Sequence, residues 1–177
     1  MHQKKRDVKA KYQYIGFLPK TVRIKENGFW GINDFEGNEI LSSNYIEIFT
    51  LSSGYGLIAA RDAGFWDVYD YYGNRINNER FEQIYPYYGL FGMTKVKIGD
   101  NWGLLNKYGH LIIPAMYKKI EKFGKGIVLQ NPNTEIEFIE RSELMELKEL
   151  RTDFKKKIKK PISKKIINLQ SKRTRAL

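Results

Sequence analysis

The sequence predicts an all-β fold: tandem antiparallel β-hairpin repeats of 36 residues, followed by a C-terminal amphipathic α-helix and a basic tail. Three observations predict it. Trp30, Trp66 and Trp102 are the only tryptophans, and each lies 36 residues after the last. Other columns keep the same step: Gly37, Gly73 and Gly109; Ile40, Ile76 and Ile112; Tyr45, Phe81 and Tyr117; Ile48, Ile84 and Ile120. A fixed period of this length is the signature of a repeat architecture. Finally, hairpin turn signals separate short runs whose apolar residues alternate with polar ones, the period of a half-buried strand.

Residues 1–19 read as a basic arm and a capping strand, with Tyr12-Gln13-Tyr14-Ile15 as the strand. The repeat domain covers 20–140, in units of about 20–55, 56–91 and 92–127 with a partial cap at 128–140. In the first unit, Val22-Arg23-Ile24-Lys25 alternates as a strand should. Asn27-Gly28 is a two-residue hairpin turn, because both central residues of such a turn need positive φ. Phe29-Trp30-Gly31-Ile32-Asn33 returns, with Trp30 and Ile32 on one face. Asp34-Phe35-Glu36-Gly37-Asn38 makes a second turn and Glu39-Ile40-Leu41 begins a third strand. Ser42-Ser43-Asn44 is a polar connection to Tyr45-Ile46-Glu47-Ile48. Units two and three are expected to follow the same plan. In the cap, Gly126-Ile127-Val128-Leu129 and Ile136-Glu137-Phe138-Ile139 form a closing hairpin that protects an exposed edge.

The final segment, 141–177, reads as a helix capped by Ser142, with Glu143, Glu146 and Glu149 early and Lys155, Lys156 and Lys157 late. Leu144, Leu147, Leu150, Phe154 and Ile158 make its apolar stripe, and Pro161 ends or kinks it.

The Trp30-Gly31, Gly37, Ile40, Tyr45 and Ile48 set resembles the bacterial WG (KWG) β-repeat family over about residues 20–140. Trp102-Gly103, Gly109, Ile112, Pro114, Tyr117 and Ile120 match the same pattern. Unit two departs from it, since Asp67 follows Trp66 and Phe81 replaces the tyrosine. The resemblance implies architecture and no shared enzymatic activity.

Composition bounds the function. The net charge is +11, but residues 1–20 carry +5 and 151–177 carry +10, which leaves the body at −4. With no cysteine there is no thiolate nucleophile and no cysteine-held metal. No apolar run reaches the roughly 18 residues of a membrane span, and the basic start leads into no apolar signal core. A soluble, cytoplasmic protein is expected.

No residue set specifies a chemistry. Asp34, Asp70 and Asn106 share a column where side-chain oxygens brace turns, and His2 and His110 belong to no metal-spacing motif. No enzyme activity, catalytic residue, cofactor or metal is expected. Tyr71, Tyr72, Tyr87 and Tyr88 are the partner-binding candidates, with Tyr71 and Tyr72 expected to be the most exposed because they lie in a turn. Lys155, Lys156, Lys157, Lys159, Lys160, Lys164, Lys165, Lys172, Arg173 and Arg175 are the nucleic-acid-binding candidates, since polyanion contact by lysine and arginine gains from counterion release. The reading is an interaction module that binds a protein partner and contacts RNA or DNA through its basic ends. Peripheral docking on anionic membrane, self-association through unit two, and a merely solvated tail stay open beside it.

Overall fold

A computed structural model describes residues 12–52, 54–149 and 165–166, with backbone only at 86–89, 148, 165 and 166. Antiparallel strands in four small sheets make up almost all of it, with one short helix near the C-terminal end. The chain divides into two compact units, residues 1–84 and 85–177.

In the first unit, β1 (Tyr14–Phe17), β2 (Val22–Glu26), β3 (Phe29–Asn33) and β4 (Glu39–Tyr45) form a sheet in that order. Asn27 and Gly28 both take positive φ, 51° and 86°, so the tight β2–β3 turn forms as its two residues require. β4 is longer than expected and runs through Ser42-Ser43-Asn44, which is therefore strand and not a connection. It pairs Trp30 with Tyr45 and Ile32 with Leu41, so its register shifts in between. That bulge explains Gly31. A Cβ there would stand 2.8 Å from the Leu41 carbonyl oxygen and 3.0 Å from the Ser43 nitrogen.

The second sheet holds β5 (Glu47–Ser52), β6 (Leu57–Arg61) and β7 (Trp66–Asp70). The expected third strand of sequence unit two does not form. Only its ends remain, as isolated bridges from Trp66 to Phe81 and from Tyr69 to Arg75. The core of this unit gathers Ile32, Leu41, Ile48, Ile58, Ala60 and Tyr71, with Leu18, Trp30, Ile40, Tyr45 and Tyr69 packed around them.

The second unit repeats the arrangement. β8 (Gln83–Leu90), β9 (Met93–Ile98), β10 (Asn101–Leu105) and β11 (Leu111–Tyr117) form one sheet. There Trp102 pairs with Tyr117 and Leu104 with Ile113, again with a register shift. A Cβ on Gly103 would lie 2.6 Å from the Ile113 carbonyl oxygen. The last sheet contains β12 (Lys119–Phe123), β13 (Gly126–Gln130), β14 (Ile136–Glu140) and β15 (Lys165–Ile166).

Helix α1 (Arg141–Lys148) follows β14 directly. Its N-cap is Glu140, without a side-chain capping bond, and not Ser142. The chain leaves β14 already turning, so the helix starts before the serine can cap it. Leu144 and Leu147 bury against Ile120, Ile127, Leu129 and Ile139. The expected continuation through Leu150, Phe154 and Ile158 to Pro161 lies outside the described residues. Among the described residues no helix is long and apolar enough to cross a membrane.

Candidate functional site

The tryptophans sit in β3, β7 and β10, the second strand of a hairpin in each case. An aromatic ring from the first strand of the same sheet meets each one. Tyr14 lies 5.2 Å from Trp30, Phe49 5.0 Å from Trp66 and Tyr85 5.7 Å from Trp102. Phe123 and Phe138 pair in the same way at 6.5 Å in the last sheet. A cation covers each indole. The Arg23 guanidinium lies 4.3 Å from Trp30, the Lys95 ammonium 4.1 Å from Trp102 and the Arg61 guanidinium 5.4 Å from Trp66. Arg23 also donates to the Ile48 carbonyl (2.7 Å) and Lys95 to the Ile120 carbonyl (3.2 Å). These two cations tie each hairpin to the strand that leads into the next sheet. Burial holds the Lys95 amine below its ordinary pKa. Trp66 is buried, while Trp30 and Trp102 are half-buried with cations across them. The indoles are fold parts rather than an open binding row.

In the second sheet the position of Arg23 and Lys95 is taken by Ala59, and that of Gly31 and Gly103 by Asp67. Asp67 is only 5% exposed. A carboxylate there leaves no room for a bulged strand pressed against the backbone, and buried charge demands partners. Arg75 supplies one at 2.7 Å and Arg80 another at 2.9 Å. Arg80 also pairs with Asp62, whose carboxylate accepts from the Gly64 and Phe65 amides at 3.1 Å. The Arg80 hydrogen bond holds the Asp62 pKa down at about 2. A carboxylate so held is a poor proton acceptor at neutral pH. The four side chains form a continuous chain of charges in place of a strand. Asp67 marked the spot in the sequence, but nothing there singled out Arg75 and Arg80 as its partners.

The turns are braced as their shared column suggested. Asp34 accepts from the Asn38 amide at 2.7 Å, and Asp70 from Tyr72 and Asn74 at 2.9 and 2.8 Å. Asn106 accepts from Tyr108 and His110, both at 3.0 Å. The Asp34 pKa is lowered chiefly by the Asn38 side chain.

The turn at 70–74 corrects one expectation. Tyr71 is not exposed; it is 6% accessible and part of the core. A Cβ on Gly56 would meet its ring at 3.3 Å, and one on Gly73 would meet the Ile40 carbonyl oxygen at 2.8 Å. The turn is thus pressed onto β4, and the two glycines make room for it. Tyr72, the next residue, is 83% exposed. Tyr87 and Tyr88 lie in β8, with their side chains outside the described residues. So are Lys155, Lys156, Lys157, Lys159, Lys160, Lys164, Lys172, Arg173 and Arg175. Lys165 belongs by its backbone to β15, opposite Phe138.

Among the described residues no group of three His, Cys, Asp or Glu could hold a metal ion. A scan against protein-family models gives no match, and a search of the curated proteins returns no relative.

Proposed function

We propose that the chain is a tandem β-repeat protein of the WG type that works as a non-enzymatic interaction module in the cytoplasm. Its β scaffold binds a protein partner, and its basic ends contact nucleic acid. The observation that carries the first part is Tyr72. The Asp70 carboxylate braces its turn and Tyr71 anchors that turn in the core, so a large aromatic ring is held outward on a rigid support. Such a ring loses little conformational freedom on binding, which is why exposed tyrosines dominate many interfaces. The second part rests on the +10 charge of residues 151–177 beside an acidic body.

The test uses the full chain, a Tyr72→Ala variant, and a variant with Lys155, Lys156, Lys157, Lys159 and Lys160 changed to Gln. Each is immobilised, and bound protein and nucleic acid are analysed separately. Tyr72→Ala should lose the protein partner by about 2 kcal/mol while keeping nucleic acid. The lysine variant should lose nucleic acid, with a log–log salt slope shallower by about 0.9 for each phosphate contact removed on duplex DNA. Unchanged binding in both variants would overturn the reading.

A further inference from the structure

The first hairpin carries a chemistry that its counterparts lack. Of the asparagines in the chain, only Asn27 is followed by glycine. The corresponding positions in the other copies are Ala63-Gly64 and Gly99-Asp100. Asn27 and Gly28 are both exposed, and a Cβ on Gly28 would meet nothing within 4 Å. The β2–β3 ladder ends at the Glu26–Phe29 pair, so the Gly28 amide lies beyond it. That amide donates instead to the Gln13 side-chain oxygen at 2.8 Å. Gln13 immediately precedes β1 and is itself tied down, its own amide donating to the Lys25 carbonyl at 2.7 Å. The acceptor is as particular to this hairpin as the asparagine, since Gln13 corresponds by the repeat step to Phe49 and Tyr85.

Asparagine is a labile side chain, most so before glycine, which has no side chain to shield its nitrogen. In that reaction the Gly28 nitrogen gives its proton to solvent base and bonds to Asn27 Cγ. The side-chain nitrogen takes up a proton and leaves as ammonia. Water then opens the cyclic imide at one of its two carbonyls, giving aspartate or isoaspartate. Water is consumed and ammonia released, and no oxidant or reductant takes part. Two features of the fold oppose the first step. The positive φ values, 51° at Asn27 and 86° at Gly28, belong to a turn whose first ψ is about +30°. That rotation points the Gly28 nitrogen away from the Asn27 side chain, and the paired Glu26 and Phe29 hold it there. The second feature is Gln13, which occupies the N–H that solvent base must reach.

We propose that Asn27 is a self-deamidation site gated by Gln13, so that the modification proceeds only when the stretch leading into β1 leaves the β2–β3 turn. The reaction draws on molecules in which the Gly28 amide is open, and its rate follows that open fraction. An aspartate product changes only the charge of the turn. Isoaspartate adds one carbon to the main chain of a turn that closes with two residues. The Glu26–Phe29 pairing is then the first to go, and β3, which carries Trp30, loses its fixed entry. Because ammonia is lost to solvent, the change is one-way. It records how long the first strand has been undocked.

The test uses the full-length wild-type chain and a full-length Gln13→Ala variant, each incubated in mildly alkaline buffer, folded and in urea. The peptide containing residue 27 is scored by mass and by isoaspartate content. Hydrogen exchange is read in the folded chains at the amides of Gly28 and Gly31, the latter opposite Ile24 in the same hairpin. In urea, Asn27 should react ahead of every other asparagine, and in the folded wild type it should react more slowly than in urea. Gln13 is exposed, so its replacement leaves the core intact. The folded variant should deamidate, and exchange at Gly28, faster by one common factor. That factor is roughly two- to tenfold, as one net hydrogen bond allows, with Gly31 exchange unchanged. Equal deamidation of the two folded chains would overturn Gln13 as the gate. Acceleration at Gly31 matching that at Gly28 would overturn it as well, because the variant would then have loosened the whole hairpin. A reaction at Asn27 in urea no faster than at the other asparagines would sink the site itself.

Discussion

Replacing Gly103 by alanine should destabilise the protein by about 2 kcal/mol, within the roughly 1–3 kcal/mol typical of overpacking. The sign is the informative part. Gly→Ala at an unstrained position stabilises by about 0.4–1 kcal/mol, because it removes freedom from the unfolded chain. At Gly103 the added carbon would lie 2.6 Å from the Ile113 carbonyl oxygen, 2.9 Å from the Ala115 nitrogen and 3.1 Å from the Ala115 Cα. All three are backbone atoms of β11, so no side chain can swing away. Relief requires β11 to lift from β10, at the expense of their ladder and of the Trp102–Tyr117 pairing. Gly64 is the control, since a Cβ there meets nothing within 4 Å. At about 2–4 °C per kcal/mol for a chain of this size, Gly103→Ala should melt roughly 4–8 °C below wild type. Gly64→Ala should match wild type or exceed it slightly. If Gly103→Ala melts with the control, the close approach of the bulged strand is not what requires glycine there.

Asp67→Asn leaves Arg75 and Arg80 without their buried counter-charge and should cost about 1–2 kcal/mol, a modest figure because both guanidinium groups remain partly solvated; urea unfolding measures it. Acidification tests Asp62. Its folded pKa of about 2 lies below the unfolded value near 3.9, so its contribution is present above about pH 4 and is lost as pH falls toward 2. Arg80→Gln should flatten that part of the stability profile, and an unchanged acid limb would refute the pairing. Leu144→Ala, at a fully buried position on α1, should cost about 2–5 kcal/mol and reduce helical ellipticity; a cost under 1 kcal/mol would show that the helix does not dock as described.

What the sequence disclosed divides by the range of the forces involved. Local signals read correctly. Asn27-Gly28 forms the hairpin turn, Asp34, Asp70 and Asn106 brace theirs, and β3 falls where the alternation put it. Each of these depends on a few consecutive residues. Errors arose where distant residues decide. Tyr71 sits in a turn, which suggests exposure, yet Gly73 lets that turn press onto Ile40 of β4, far back along the chain, and Gly56 leaves room for the Tyr71 ring in the core. Ser42-Ser43-Asn44 is polar because a bulge leaves part of β4 at the surface, not because the strand ends. The missing strand of the second sheet was signalled only by Asp67 where glycine stands in the other copies. Its arginine partners carry no local mark. The cations over Trp30 and Trp102 could have been found, since Arg23 and Lys95 each precede a tryptophan by seven residues and Ala59 breaks that column.

Each hairpin pairs on its outer side with a strand from the preceding stretch of chain: β1 with β2, β5 with β6, β12 with β13. A gene that gained or lost one tryptophan-to-tryptophan segment would therefore hand every hairpin an incoming strand of the same kind as before. Excision of residues 56–91 would deliver β5 to the β9–β10 hairpin, with Phe49 arriving where Tyr85 stood beside Trp102. Unequal crossing-over can lengthen or shorten such a chain in whole steps, each of which leaves every remaining hairpin with a neighbouring strand.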